Sequence, residues 1–234
     1  MIEFENVSFL YDNEIIIKNF SQIFDKNKIH CILGPSGCGK TTLLNLIADL
    51  IKPTLGIIHG ITDGVSYAFQ DECIIPQVTC LSNLNFALTS AYPKRSARIA
   101  ICHEFLNAVG LSNEYKKYPH EMSGGMRQRL TLARCFAYPS NILLMDEPFK
   151  ALDIMLKLEI LDLFISLWQK DQRTVVFITH DPDEAARCAD IAYVCNGVPF
   201  NITDEINISS PRSQDNSKYS KLIYEALVRH KTMS

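Results

Sequence analysis

The sequence predicts an α/β fold, and three stretches carry that prediction. Ile29-His30-Cys31-Ile32-Leu33 is a short apolar run that leads through a glycine-rich loop, Gly34 to Gly39, into a segment with Leu43, Leu44, Leu46 and Ile47 at helical spacing. Asn141-Ile142-Leu143-Leu144-Met145 and Thr174-Val175-Val176-Phe177-Ile178-Thr179 are further apolar runs, read as buried strands of a parallel sheet. A chain of 234 residues suffices for one large α/β domain, or for a core with a smaller inserted subdomain.

Composition narrows the class. Hydrophobic residues at 47% and charged residues at 21% fit a globular protein with a sizeable core. A net charge of −3 and the lack of a long basic run lean away from a nucleic-acid partner. The eight cysteines, at 31, 38, 73, 80, 102, 135, 188 and 195, form no C-x-x-C pair and read as scattered free thiols in a reducing compartment. Acidic residues stand where a secretory leader would be basic, and no stretch offers about 18 uninterrupted apolar residues, so a soluble cytoplasmic chain is expected.

Residues 2 to 24 alternate apolar and polar around a break at Asp12-Asn13-Glu14, which predicts antiparallel strands joined by a turn. Tyr11 sits at that turn, and position alone suits ordinary packing and base stacking equally. The helix after the glycine-rich loop should stop at Lys52-Pro53-Thr54-Leu55-Gly56, ahead of strands at Ile57 to Gly60 and Val65 to Phe69, the second ending at Gln70. From 71 to about 137 the pattern becomes helical, with Leu81, Leu84, Phe86 and Leu88 in one segment and Lys94 to Ala108 in another. Ser123-Gly124-Gly125 then opens an amphipathic helix, with Ser123 as its N-cap. Ala151-Leu152-Asp153 leads into a helix ending near Gln169, and Pro182 to Ala189 reads as another. Ile191 to Cys195 and Val198 to Ile202 predict a hairpin turning at Asn196-Gly197. A short tail, 203–234, holds one candidate helix at Tyr219 to His230.

The chemistry concentrates at the ends of the apolar runs. Gly34-Pro35-Ser36-Gly37-Cys38-Gly39-Lys40-Thr41-Thr42 fits a phosphate cradle: glycines turn backbone N–H groups inward, a helix N-terminus faces the anions, Lys40 adds a point charge and Thr41 an oxygen ligand for Mg²⁺. Asp146 and Glu147 end a buried run, where two adjacent acids are costly unless one meets a cation. Asp146 is therefore assigned to Mg²⁺ and Glu147 to a general base or water-orienting role. Ser123-Gly124-Gly125 makes a second candidate anion site, although a plain capped helix has the same spacing. His180 ends the following strand, where it serves either as satisfied packing or as a sensor of the γ-phosphate.

With these pieces in this order the chain resembles an ABC-transporter ATP-binding subunit over residues 1 to about 200. Gly34 to Thr42 resembles Walker A, Gln70 the Q-loop glutamine, Met122 to Met126 the signature, Leu143 to Glu147 Walker B, Ala151 to Asp153 the D-loop and His180 the switch histidine. Tyr11 then matches the adenine-stacking aromatic. The wording of Met145 to Asp153 and of Ser123 to Arg129 is most similar to importers of the nitrate, sulfonate and taurine group, with Met122, Met126 and Lys150 as departures from the common pattern.

The resemblance implies a P-loop NTPase (RecA-like) core with an N-terminal antiparallel β subdomain and an inserted helical subdomain, residues 1–202 forming one cassette. It also implies ATP and Mg²⁺ as cofactors, Mg²⁺ on Thr41, Gln70 and Asp146, and catalysis by Glu147, His180 and Gln70. ATP would lie between Walker A of one subunit and Ser123-Gly124-Gly125 of a second ATP-binding subunit in a homodimer. The insertion after Gln70 would dock transmembrane permease subunits on the inner face of the membrane, with a solute-binding protein engaged indirectly. The rival reading is an ABC-type ATPase acting on DNA or ribosomes. An SMC-type ATPase would need a long coiled coil between Thr42 and Ser123, where heptads are lacking, and a translation factor usually carries two cassettes. A simple P-loop kinase leaves Ser123-Gly124-Gly125 and His180 idle.

Overall fold

Two strands, β1 (Ile2–Tyr11) and β2 (Glu14–Phe24), open the chain as an antiparallel hairpin. Asp12 and Asn13 join them with φ of 44° and 72°, the paired positive values of a two-residue turn that follows strand twist. The computed structural model describes every residue except 63, 72, 151, 210, 213–215 and 232–234, with backbone alone at 230 and 231. Next come β3 (Ile29–Leu33), α1 (Lys40–Ile47), β4 (Leu55–His59) and β5 (Val65–Ala68). Three helices follow, α2 (Cys80–Ala87), α3 (Arg95–Ala108) and α4 (Gly124–Ala137), with a 3-10 turn at Pro119–Glu121 before the last. The remaining elements are β6 (Ile142–Asp146), α5 (Ile154–Lys170), β7 (Thr174–Ile178), α6 (Pro182–Cys188), β8 (Ile191–Asn196), β9 (Asn201–Asn207) and α7 (Ser217–Lys231).

These strands form two sheets. A three-stranded antiparallel sheet has the order β2-β1-β4, and a six-stranded sheet has the order β5-β6-β7-β3-β8-β9, parallel except for the β8–β9 pair. Its central strands are buried at every position, because alternate residues feed opposite cores. Cys31, Leu33, Leu143, Met145, Val175 and Phe177 join the helices of one face, whereas Ile32, Leu144, Val176 and Ile178 meet α1 and the hairpin on the other. Continuous apolar runs in the sequence follow directly from this two-sided burial.

Several boundaries differ from the sequence reading. Helix α1 ends at Ile47, well before Pro53, because Asp49 takes a left-handed φ of 59° and Leu50 and Asp49 donate back to Asn45 O and Leu46 O. That double bond pattern is a Schellman stop, here made by aspartate instead of glycine. The strand expected at Val198 to Ile202 starts instead at Asn201 and runs to Asn207. Pro199 has no N–H to give a ladder, so pairing resumes beyond it. A boundary at 202 therefore falls inside β9, and the tail helix is longer than Tyr219 to His230.

Candidate functional site

The carboxyl ends of β3, β6 and β7 and the amino end of α1 meet at one cavity of about 380 Å³. Between β3 and α1 the chain turns through Gly37 and Gly39, whose φ values of 79° and 103° exclude ordinary side chains at low cost. Gly34 begins the loop against β8, where a Cβ would sit 2.5 Å from both Cys195 O and Cys195 Sγ. The first N–H groups of α1 have no partner within the helix and open toward the same cavity. Ser36 and Thr42 line its wall, Pro35 is exposed beside it, and Cys38 is buried beneath the loop, 3.4 Å from the sulfur of Cys195.

Lys40 is only 6% exposed, and its ammonium donates to Gly34 O at 2.9 Å and Pro35 O at 2.6 Å. A cation buried on carbonyl dipoles is incompletely compensated, which suits an anion arriving in the cavity. Thr41 Oγ1 donates to Asp146 Oδ2 at 2.8 Å. Burial pushes the Asp146 carboxyl above its ordinary pKa, against the pull of the Thr41 bond and the Lys40 charge. Two hard oxygen donors side by side, one a carboxylate that burial destabilises, fit the chemistry of Mg²⁺.

Glu147 follows at the end of β6 with a left-handed φ of 49°, a conformation that costs about 1–3 kcal/mol outside glycine. Its N–H donates to Ile178 O at 3.0 Å, which ties the turn to β7. One carboxylate oxygen pairs with His180 Nε2, and the other takes Lys150 Nζ and, at 3.2 Å, Gln70 Nε2. Burial works against the charged form, but the Lys150 bond and the His180 charge outweigh it and bring the Glu147 pKa below the usual value. The structure thus brings Gln70, Asp146, Glu147 and His180 together with Lys40 and Thr41 on the wall of one cavity.

Other expected residues lie elsewhere. Tyr11 is 45% exposed with its ring edge-on to Phe9, and Ile16 of β2, not Tyr11, lines the cavity. Ser123 caps α4 by accepting from Met126 N at 3.2 Å. Gly125 packs so closely on α5 that a Cβ would lie 2.7 Å from Leu156 Cδ1. Gly124 lines a neighbouring depression of about 300 Å³ with Gln70, Gln128 and Lys150. Asp153 caps α5 through Leu156 N, while Ala151 lies outside the described residues. Sequence reasoning gave Lys150 no role, although its place three residues after Glu147 is a spacing at which an ion pair forms. The contact of Ile16 had no local signal, because it depends on how the hairpin crosses the central sheet.

Comparison with known proteins gives concordant findings. A family model described as ABC transporter matches residues 17–150. An uncharacterized ABC transporter ATP-binding protein of Methanocaldococcus jannaschii is 37% identical over 208 residues, covering 85% of this chain and 77% of its own. The nitrate import ATP-binding protein NrtD of Synechocystis is 36% identical, covering 87% and 79%, and the bicarbonate transport ATP-binding protein CmpD of the same organism is 34% identical, covering 90% and 80%. Among solved structures, a dimeric ATP-binding cassette in a post-hydrolysis state bound to ADP and Pi superimposes with a TM-score of 0.77 at 28% identity, covering 90% of this chain and all of that one.

Proposed function

The chain belongs to the ABC transporter family, and from that membership we propose that it is the ATP-binding and hydrolysing subunit of a bacterial importer for a small solute of the nitrate, sulfonate or taurine type. The convergence of Lys40, Thr41, Asp146 and Glu147 on one cavity is the observation that carries the reading. Lys40 and the amides of the glycine-rich loop bind the phosphates. Thr41, Asp146 and Gln70 are the residues that would hold Mg²⁺, which when bound neutralises phosphate charge as a Lewis acid. Glu147 takes the proton of the attacking water, with His180 and Gln70 orienting its carboxylate. Tyr11 is assigned to the adenine by its match to the family pattern, supported by its exposure at the end of β1.

Ser123, Gly124 and Gly125 are assigned to the site of a second copy, a reading supported by the dimeric state of the cassettes whose fold this chain shares. The cassette in this proposal is residues 1–202, extended to Asn207 so that β9 stays whole, with the helical insertion at about 71–137. Permease docking on that insertion is supported by Phe86, 65% exposed on it, by Phe69, 42% exposed just before it, and by a hollow of about 180 Å³ between β5 and α4 that includes Tyr67, Phe69 and Ala87. Among the described residues no helix is long and apolar enough to cross a membrane, so the subunit would sit against the inner face of the membrane through that partner, with a solute-binding protein engaged only indirectly. The nitrate import subunit and the bicarbonate and betaine transport subunits named among its relatives favour this reading over an ATPase acting on DNA or ribosomes. The test is the ATPase rate of the purified subunit with its permease in lipid, with duplex DNA, and with ribosomes. Stimulation by the permease alone is expected, and stimulation by DNA or ribosomes alone would overturn the transport reading.

A further inference from the structure

Beneath the glycine-rich loop, Cys38 Sγ lies 3.4 Å from Cys195 Sγ at the end of β8, and both thiols are buried. Cys195 Sγ also lies 3.0 Å from Leu33 O, the alternative acceptor for its one proton when Cys38 is protonated, and Lys40 Nζ lies 3.8 Å from Cys38 Sγ. The hydrogen bond from Cys195 and the charge of Lys40 draw the Cys38 thiol below its ordinary pKa, whereas the neighbouring Cys38 and burial push Cys195 up. That asymmetry matches an attacking thiolate beside a proton-bearing resolving thiol. By contrast, burial raises Cys31, Cys80, Cys102, Cys135 and Cys188 and leaves them inert packing groups.

An open cavity meets the pair at Cys195, and it borders the phosphate cavity, with which it shares Ser36 and His180. Cys195 lines this space of about 510 Å³ together with Gly34, Pro35 and Ser36 of the loop and Tyr224 of α7. His180, Val194 and Leu227 complete much of its wall, and its volume far exceeds that of a small peroxide.

We propose that Cys38 and Cys195 form a peroxide-reactive modification site whose disulfide ties the glycine-rich loop to β8 and so lowers nucleotide affinity. The effect on affinity rests on reading that loop as the phosphate site. The Cys38 thiolate attacks one peroxide oxygen, the O–O bond breaks, and the departing hydroxide takes a proton to leave as water with Cys38 as a sulfenic acid. Cys195 sulfur then attacks the Cys38 sulfur, its proton leaves with the sulfenic hydroxyl as a second water, and the S–S bond forms. Two thiols lose two electrons in all, and one peroxide gains them. An S–S bond of about 2.05 Å needs the sulfurs to close by more than an ångström. Gly34 already lies tight against Cys195 and cannot move closer, so the shift falls on Cys38 and, through Gly39, on Lys40.

The experiment uses the full chain, reduced and then exposed to a few-fold excess of hydrogen peroxide. Peptide mass mapping locates any cross-link, and binding of a fluorescent ATP analogue is titrated before oxidation, after it, and after dithiothreitol. Expected are linked peptides containing Cys38 and Cys195, at least a tenfold loss of affinity, and recovery on reduction. Cys195→Ala should bind the analogue normally and show no reversible loss after peroxide. Unlinked Cys38 and Cys195 peptides, including oxidation confined to exposed Cys73, would overturn the proposal, as would a cross-link that leaves affinity unchanged. If the reduced wild-type chain binds no analogue, the phosphate-loop reading fails, and the mapping still decides the thiol pair by itself.

Discussion

Asp146 and Glu147 are chemically alike and adjacent, yet their surroundings separate them. Asp146 faces Thr41 and a buried cation, while Glu147 turns through a left-handed backbone to meet His180, Lys150 and Gln70. Glu147→Gln keeps the shape and the amide-compatible contacts but removes the base, so ATP and Mg²⁺ binding should persist while hydrolysis slows by on the order of 10² or more. Asp146→Asn should instead weaken Mg²⁺-dependent ATP binding. Single-turnover hydrolysis and equilibrium binding, measured on both variants, separate the roles, and normal turnover by Glu147→Gln would remove Glu147 from the chemistry. The acids and Lys40 were legible in the sequence because each sits at the end of an apolar strand or the start of a helix, and parallel sheets deliver such ends to one edge. The Cys38–Cys195 contact spans 157 residues and depends on β3 pairing with β8, so no local pattern announces it. Tyr11 illustrates the opposite limit: the turn that carries it was legible, but the direction of its ring was not.

At the level of elements, strand and helix periodicity located nearly every segment, and the end of α1 was missed because a polar residue did the work expected of glycine or proline. Asp49 stops α1 in a left-handed turn, and Asn6 and Asn19 do the same in the β1–β2 bulges, with φ of 49° and 46°. Their amides are met by hydroxyls, Asn6 N donating to Ser21 Oγ and Asn19 N to Ser8 Oγ. Glycine is hardest to replace where space as well as φ is limiting. Gly56 in β4 has a φ of 82°, and a Cβ there would lie 2.5 Å from the carbonyl oxygens of Glu5 and Asn6. Gly197 has a similar φ of 71°, but a Cβ would meet only Pro199 O at 3.9 Å. Gly197→Ala should therefore cost about 1 kcal/mol, the conformational strain alone. Gly56→Ala adds a backbone clash that no rotamer relieves and should cost several-fold more, about 3 kcal/mol or above. Urea unfolding of the two variants checks this, and equal losses would show that β4 can move away from β1 at little cost.

The whole molecule is held together where the hairpin sheet meets the central sheet, and His30 of β3 sits at that junction. It is fully buried, edge-on to Phe24 of β2 and stacked on Tyr193 of β8, with ring centroids 5.3 and 5.9 Å away. Nε2 lies 3.0 Å from Asp25 O, which only accepts, so Nε2 carries the proton and Nδ1 accepts from Tyr193 Oη at 3.3 Å. The neutral ring is satisfied, and a second proton would place a charge among aromatic rings. Burial accordingly lowers the His30 pKa below 6.5, although the Asp25 carbonyl and the charges of Asp25 and Asp190 pull upward, and Lys28 pushes down. The unfolded chain then binds more protons than the folded one as pH drops below about 6.5, so this residue's contribution to stability is lost on acidification, by at most about 1.4 kcal/mol per pH unit. Asp146 and Glu184 act in the opposite sense, because burial raises their carboxyls and the folded state takes up protons first as pH falls. A raw pH profile mixes these terms, and a difference between proteins isolates one. His30→Gln retains a donor and an acceptor but does not titrate, so urea midpoints of wild type and variant should converge between pH 7 and pH 5 as the wild type alone loses its histidine term. Parallel profiles across that interval would mean that His30 accepts its second proton in the folded state, and that the junction is wetter than its packing indicates.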